Sequence, residues 1–101
     1  MYKLIFDKKF SKDYRKLDRS LQIEGDKKLK RLKEDPEIMG KALKFFANLF
    51  ELYLRSYRIY YLVQESEKIV LVLAIEHKDE QKKYLRKLDI EEIKRLLGEN
   101  P

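Results

Sequence analysis

The spacing of apolar residues changes along this chain from helical intervals to strict alternation, and this change restricts the folds open to it. From residue 8 to residue 34 the apolar side chains recur at intervals of three and four, as Phe10, Tyr14 and Leu17 do. From residue 50 to residue 76 they alternate with polar side chains or form short apolar runs, which is typical of strands. The chain is therefore expected to form an α+β fold, with helices before most of its strands.

The same patterns predict the order of the elements. They are an opening strand at residues 2–6, a helical hairpin at 8–17 and 21–34, a three-stranded antiparallel meander at 50–55, 57–64 and 69–76, and a helical tail from residue 78. Asp7 and Ser20 are the expected N-caps of the hairpin helices, and Pro36 ends the second helix before a turn at 36–40. A capping box at residues 89–92 and a C-terminal cap at Gly98 predict a C-terminal helix.

The sequence also predicts which side chains fill a core between the meander and the hairpin. In the first meander strand Leu52 and Leu54 share one face, which leaves Glu51, Tyr53 and Arg55 on a polar face. We expect one domain spanning residues 1–101, because two separate cores would each bury too little apolar surface. The predicted core residues are Phe10, Tyr14, Leu29, Leu32, Leu52, Leu54, Ile59, Leu71 and Leu73.

The balance of charge favours a polyanionic partner. Lys and Arg number 24 against 18 Asp and Glu, so the net charge is +6. Part of this charge has a second explanation, because a charged fraction of 42% also occurs in the surface ion-pair networks of heat-adapted proteins. Disulfides are excluded because there is no Cys, and no apolar run has the length of a signal peptide or a membrane span. We therefore expect a cytoplasmic protein with no membrane partner.

Three segments of the chain carry a recognisable pattern. Residues 53–61, YLRSYRIYY, form a strand that ends in Leu-Arg, turns, and resumes as Tyr-Arg followed by apolar residues and Tyr. Residues 71–78, LVLAIEHK, form an apolar strand followed by a basic turn, and residues 10–17, FSKDYRKL, begin the hairpin. Over residues 2–84 this pattern resembles the RelE/ParE family of toxins. The resemblance implies the small α+β fold of RelE, which is similar to that of microbial ribonucleases.

The resemblance implies a function as well. Nucleases of this family are toxins of type II toxin–antitoxin systems that cut mRNA in the ribosomal decoding site. The reaction transfers a phosphoryl group from the 5′-oxygen to the neighbouring 2′-oxygen and uses no metal or other cofactor. It needs a base near the 2′-hydroxyl, a cation on the phosphate and an acid near the leaving oxygen. The implied partners are a cognate antitoxin, the ribosome and mRNA.

The resemblance also assigns site residues. It implies that Arg58 holds the phosphate, that Lys78 stabilises the developing charge, and that Tyr84 stacks on a base or assists proton transfer. The chain departs from the RelE pattern in the first meander strand, where two family lysines are replaced by Glu51 and by Tyr53. Other branches of the family use a glutamate and a histidine as the acid–base pair, which implies the same role for Glu51 and His77.

Four further residues are predicted to contact RNA, because tyrosine rings stack on bases and cations bind phosphates: Tyr53, Arg55, Lys28 and Arg31. Each candidate also has a purely structural interpretation. Arg58 can form an ion pair with Glu51 or Glu76, tyrosines fill small cores, and a lysine-rich helix face is often simply solvated.

Two other functions remain open at this stage. The chain can be a ParE-like toxin that binds DNA gyrase without being a nuclease, or an inactive homologue that only binds an antitoxin. Arg58, His77 and Lys78 favour the nuclease, whereas the loss of the two strand lysines favours the alternatives.

Overall fold

The computed structural model describes residues 1–44 and 46–88, which form a five-stranded sheet with helices on both faces. Its elements are β1 (Lys3–Phe6), α1 (Lys8–Tyr14), α2 (Arg19–Leu32), α3 (Pro36–Met39), β2 (Lys41–Ala42), β3 (Leu49–Leu54), β4 (Tyr57–Gln64), β5 (Ile69–His77), a 3₁₀ turn (Lys78–Glu80) and α4 (Gln81–Lys87). The predicted α+β fold is confirmed. The capping box at residues 89–92 and the cap at Gly98 lie outside the described residues. None of the described helices has the length and hydropathy needed to cross a bilayer.

Aspartate side chains cap both helices of the hairpin. The Asp7 carboxylate accepts a hydrogen bond from the Lys9 N–H at 3.1 Å, as predicted. The second helix begins earlier than expected, because the Asp18 carboxylate accepts from the Leu21 N–H at 2.9 Å and from the Ser20 hydroxyl at 2.7 Å. These hydrogen bonds, the Leu21 one first, lower the pKa of the Asp18 carboxyl. The prediction of Ser20 as the N-cap was therefore wrong.

The sheet has the strand order β1-β5-β4-β3-β2. Strands β3, β4 and β5 form the predicted antiparallel meander. The opening strand β1 lies parallel to β5, with Lys3 opposite Ile69 and Phe6 opposite Val72. On the other edge, β2 pairs with β3 over two residues. The turn predicted at 36–40 instead contains the short helix α3, in which Pro36 occupies the first turn, where its missing N–H costs nothing.

Two hydrophobic clusters cover the two faces of the sheet. We call the face covered by α1 and α2 the hairpin face, and the face covered by α4 the tail face. The hairpin-face cluster includes Phe10, Tyr14, Leu29, Leu32, Leu52, Leu54, Ile59, Tyr61, Val63, Val70, Val72 and Ile75. The tail-face cluster contains Leu49, Tyr60, Leu62, Leu71, Leu73 and Ala74, with Tyr84, Leu85 and Leu88 packed against it.

A β-bulge in β5 decides which cluster its side chains join. The pairing with β4 shifts between Tyr60 and Tyr61, which leaves Leu73 as an extra residue in β5. An extra residue reverses the alternation, so Leu71 and Leu73 cover the tail face while Ile75 still faces the hairpin. All the predicted core residues are buried. The placement of Leu71 and Leu73 against the hairpin was nevertheless wrong.

Candidate functional site

Arg58 lies on the tail face of β4, close to the turn that joins β3 to β4. Its cross-strand neighbours are Tyr53 on β3 and Glu76 on β5. The guanidinium carbon lies 3.9 Å from the centroid of the Tyr53 ring, and Tyr53 is 46% exposed. This cation–π pair places a positive charge beside an aromatic surface that solvent reaches. Such a pair can bind a phosphate and stack on a base at the same time.

The Arg58 guanidinium is held by main-chain oxygens. Its Nη1 donates to the carbonyls of Arg55 and Tyr57, each at 2.9 Å. The Arg55 carbonyl belongs to the turn, where Arg55 has a positive φ of 53°. Within residues 1–44 and 46–88 no carboxylate forms an ion pair with Arg58, so neither Glu51 nor Glu76 neutralises it. The positive charge of the guanidinium is therefore not balanced by a direct carboxylate partner in this part of the chain.

Glu76, directly opposite Arg58, is bound by a lysine from another part of the chain. The Lys9 ammonium of α1 lies 2.6 Å from a Glu76 carboxylate oxygen, 3.0 Å from Asp13 and 5.9 Å from the centroid of the Tyr84 ring. Burial lowers the pKa of Lys9, but hydrogen bonds to Glu76 and Asp13 outweigh it, so the net pKa is raised. Sequence reasoning missed Lys9. The spacing of four residues between Lys9 and Asp13 could have predicted their ion pair from the sequence. The contact of Lys9 with Glu76 on β5 joins distant parts of the chain and could not.

Glu51 is a buried carboxylate on the tail face, only 5% exposed. It accepts a hydrogen bond from the side-chain amide of Gln81, at the start of α4. Its cross-strand neighbour Tyr60 is fully buried. The Gln81 amide also lies beside the Tyr60 hydroxyl but is engaged by Glu51, and the Tyr60 hydroxyl has no hydrogen-bond partner among the described residues. Burial, followed by the nearby Glu51 charge, raises the pKa of Tyr60 to about 12.

This raised pKa predicts a loss of stability in alkali. The folded state favours the neutral form of the Tyr60 side chain. The contribution of Tyr60 to the free energy of unfolding is therefore complete below the pKa of an exposed tyrosine, about 10, and is lost as the pH rises towards about 12. The free energy of unfolding, measured with urea at about pH 9 and about pH 11, should fall less steeply in Tyr60→Phe than in the wild type. Tyr53→Phe, at an exposed ring, is the control and should follow the wild type. Equal slopes for Tyr60→Phe and the wild type would contradict the prediction.

Tyr84 joins the tail face through a ring contact. Its ring stacks on Tyr60, with centroids 4.7 Å apart and planes inclined by 23°. The first part of α4 therefore brings Tyr84 and Gln81 over the same face as Arg58 and Glu51. The Tyr84 ring is half-buried there, between solvent and the tail-face cluster.

His77 lies on the other face of the sheet. It is paired with Tyr57, whose ring it contacts edge-on at 5.5 Å between centroids, and Tyr57 packs on the hairpin-face cluster. The His77 Nδ1 accepts a hydrogen bond from the Asp79 N–H at 3.2 Å. Because successive side chains of a strand point to opposite faces, the structure does not bring His77 together with Glu51.

Lys78 begins the 3₁₀ turn after β5 and is exposed. Its main-chain N–H donates to the Ser56 carbonyl at 2.7 Å, which ties this turn to the β3–β4 turn. Arg55, in the β3–β4 turn, places its Nε 3.3 Å from a Glu24 carboxylate oxygen of α2. Lys78 is therefore an exposed cation at the same end of the sheet as Arg58, whereas the Arg55 side chain is directed to α2.

Lys28 and Arg31 lie in a second basic region. The Lys28 ammonium donates to the Tyr53 carbonyl at 2.6 Å, which links α2 to β3. Both residues line an open groove of about 380 Å³ that also includes Lys41 and Tyr53. The same groove is lined by Glu51, so these two candidates lie next to the tail-face candidates Glu51 and Tyr53.

Comparison with known proteins identifies the family. The sequence model described as "ParE toxin of type II toxin-antitoxin system, parDE" matches residues 4–82. The chain is also 30% identical over 98 residues to the mRNA interferase toxin RelE of Escherichia coli, covering 95% of this chain and 98% of the relative. This chain belongs to the RelE/ParE toxin superfamily. The membership implied by the sequence resemblance is therefore confirmed.

Solved RelE structures share the RelE/ParE fold described here. The Escherichia coli RelBE toxin–antitoxin complex contains a chain that matches with a TM-score of 0.70 and 30% identity, covering 76% of this chain and 96% of that one. Isolated Escherichia coli RelE matches with a TM-score of 0.70 and 26% identity, covering 87% and 100%. The archaeal RelE–RelB complex of Pyrococcus horikoshii matches with a TM-score of 0.68, 19% identity and coverage of 76% and 94%, which shows a shared fold.

The structure divides the candidate RelE/ParE site residues into groups. Those on the tail face are Arg58, Tyr53, Glu51 and Tyr84. Those placed elsewhere are Lys78 and Arg55 near the β3–β4 turn, His77 on the hairpin face, and Lys28 and Arg31 at the groove beside α2. Lys9 and Gln81 join the tail-face group, although neither was predicted.

Proposed function

We propose that this protein is the toxin of a type II toxin–antitoxin system and cuts mRNA on the ribosome. The observation that carries the proposal is its near full-length likeness to a protein named as an mRNA interferase toxin. The cation–π pair of Arg58 and Tyr53 supports it, because the pair offers a charge to a phosphate and a ring to a base. Single-stranded RNA presents both groups to the same surface.

The proposed reaction is attack of the 2′-oxygen on the adjacent phosphorus, with departure of the 5′-oxygen. Arg58 binds the phosphate and stabilises the charge that develops on it, with Lys78 as a second cation near the β3–β4 turn. Glu51 is the candidate base for the 2′-hydroxyl proton, once its hydrogen bond to Gln81 is exchanged for one to RNA. Tyr84 stacks on a base or assists the proton to the leaving oxygen, and this scheme uses no cofactor.

The proposed partners are an antitoxin, the ribosome and mRNA. The solved complexes of RelE with RelB support an antitoxin partner. The net charge of +6 favours an acidic segment that folds on the surface of the toxin. Because its substrate is mRNA on the ribosome, the protein is proposed to act in the cytoplasm.

A ParE-like action on DNA gyrase is the second candidate. The matching family description names ParE, and β3 carries Glu51 and Tyr53 where the nuclease pattern has lysines. The same departure also fits an inactive homologue that binds an antitoxin without cutting RNA.

Primer extension on mRNA from translation extracts tests these functions. Extracts with purified protein should yield new 5′ ends within reading frames when ribosomes are present, and none when ribosomes are removed. Intact mRNA together with inhibited gyrase supercoiling would replace the nuclease with the ParE-like function. Intact mRNA and active gyrase, with antitoxin still bound, would identify the inactive homologue.

RNA binding is expected to weaken steeply with salt. If Arg58 and Lys78 each contact one phosphate, the logarithm of the affinity should fall with the logarithm of salt at a slope near −1.4, since each single-strand contact contributes about 0.7. Between about 50 mM and about 200 mM salt, the Kd for a single-stranded RNA oligonucleotide should rise about sevenfold. Arg58→Ala should reduce the slope by about 0.7. An unchanged Kd across this range would contradict a phosphate-binding surface.

A further inference from the structure

Arg58 and Glu76 face each other on β4 and β5 yet do not form an ion pair. Opposite charges at directly paired positions of antiparallel strands normally attract each other, with Cβ atoms about 5 Å apart. Here the Arg58 guanidinium lies over the Tyr53 ring, and the Glu76 carboxylate is bound to Lys9 at 2.6 Å. A third residue, Lys9, therefore holds the carboxylate of this cross-strand pair.

We propose that Lys9 is a positioning residue that keeps Glu76 away from Arg58, so that the Arg58 guanidinium can bind an RNA phosphate. The inference rests on the proposed function. It adds Lys9, a residue of α1, to the residues that control phosphate binding by Arg58 on the sheet. Its chemical basis is competition, because a carboxylate and a phosphate both bind a guanidinium through paired oxygens.

The geometry gives Lys9 a defined position for this task. Asp13, one helical turn further along α1, holds the Lys9 ammonium at 3.0 Å and orients it towards β5. The Glu76 side chain is only 20% exposed, so solvent screens its charge incompletely. Arg58 lies directly opposite Glu76 on the neighbouring strand. When Lys9 is removed, the Arg58 guanidinium is the nearby cation that can attract the Glu76 carboxylate. The carboxylate is then expected to draw the guanidinium off the Tyr53 ring.

Two other roles for Lys9 make different predictions. If Lys9 itself binds the phosphate, every variant without Lys9 binds RNA more weakly, whichever residue stands at position 76. A lysine that merely joins α1 to β5 affects the stability of the fold and leaves the charge on Arg58 as it was. Of these three roles, competition by Glu76 is the one that predicts that removing both charged partners restores RNA binding.

The test compares a single variant and a double variant in the full chain. Lys9→Met, which keeps the apolar stem, should weaken binding of a single-stranded RNA oligonucleotide and slow mRNA cleavage by on the order of fivefold, the size of a partly exposed ion pair. Lys9→Met combined with Glu76→Gln should return both quantities to near the wild-type values. Lys8→Met, at an exposed neighbouring position of α1, is the control and should leave them unchanged. If Lys9→Met fails to fold, as judged by its melting temperature, Lys9→Ala replaces it.

A second readout does not depend on cleavage. The NMR signal of the Arg58 Nε–H should shift in Lys9→Met, because the guanidinium moves from the ring to the carboxylate, and should return in the double variant. An unchanged signal, or a double variant as defective as Lys9→Met, would overturn the proposal. A wild-type protein that leaves mRNA intact would instead overturn the nuclease function, while the NMR comparison still tests the role of Lys9.

Discussion

Arg58→Ala is expected to slow mRNA cleavage about a hundredfold, which corresponds to on the order of 3 kcal/mol of lost transition-state stabilisation. The reason is that the guanidinium, held by the Arg55 and Tyr57 carbonyls, is positioned before RNA binds and strengthens its contact as charge develops on the phosphate. The substitution should leave the fold intact, since the guanidinium forms no ion pair with a carboxylate among residues 1–44 and 46–88. Single-turnover cleavage on programmed ribosomes measures the effect.

Arg15→Ala provides the control for this prediction. Arg15 has the same side chain as Arg58 and is exposed at the end of α1. The Arg15→Ala variant should therefore cleave mRNA at the wild-type rate. Both variants need melting temperatures close to the wild type for the comparison to hold. Growth arrest that persists in Arg58→Ala, with mRNA intact and gyrase inhibited, would refute the nuclease and favour the ParE-like toxin.

Leu32→Ala is expected to lower the free energy of unfolding by about 3 kcal/mol. Leu32 is fully buried in the last turn of α2, where it packs in the hairpin-face cluster, so truncation leaves a cavity as well as removing apolar contacts. A loss of this size is a large part of the roughly 5–15 kcal/mol that stabilises a small domain. Urea unfolding monitored by circular dichroism measures it.

Ile38→Ala is the matched comparison for Leu32→Ala, because it removes the same number of carbon atoms from a side chain that is 81% exposed. Its effect should stay within about 0.5 kcal/mol. If Leu32→Ala cost less than about 1 kcal/mol, the hairpin would not be packed on the sheet as described.

The elements of this fold could be predicted because their signals are local. Helical spacing in α1 and α2 and alternation in β3 each arise within one segment, and so does the Asp7 cap. The start of α2 was misplaced for a local reason too. Asp18 and Ser20 are both good capping residues, and the choice depends on Asp18 accepting hydrogen bonds from Ser20 itself and from Leu21.

The features that were missed depend on strand pairing. The bulge at Leu73 is defined by the pairing of β5 with β4, so the sequence of β5 by itself does not reveal it. Because of this bulge, Leu71 and Leu73 lie on the tail face while Ile75 lies on the hairpin face. The faces occupied by Glu51 and His77 likewise follow from a register that alternation within one strand does not give. The ion pair of Lys9 with Glu76 joins residues 67 positions apart and has no counterpart in local spacing.

The parallel pairing of β1 with β5 has a consequence for how the molecule is made. A ribosome synthesises β1 long before its partner, so the sheet stays incomplete until most of the described chain has been translated. Pairings between distant segments form late, because the intervening chain must first be ordered. Lys9 follows β1 directly, while Arg58 and Glu76 belong to the strands made later. The proposed phosphate site can therefore assemble only once β5 has been synthesised, when Lys9 and Arg58 are already part of the nascent chain.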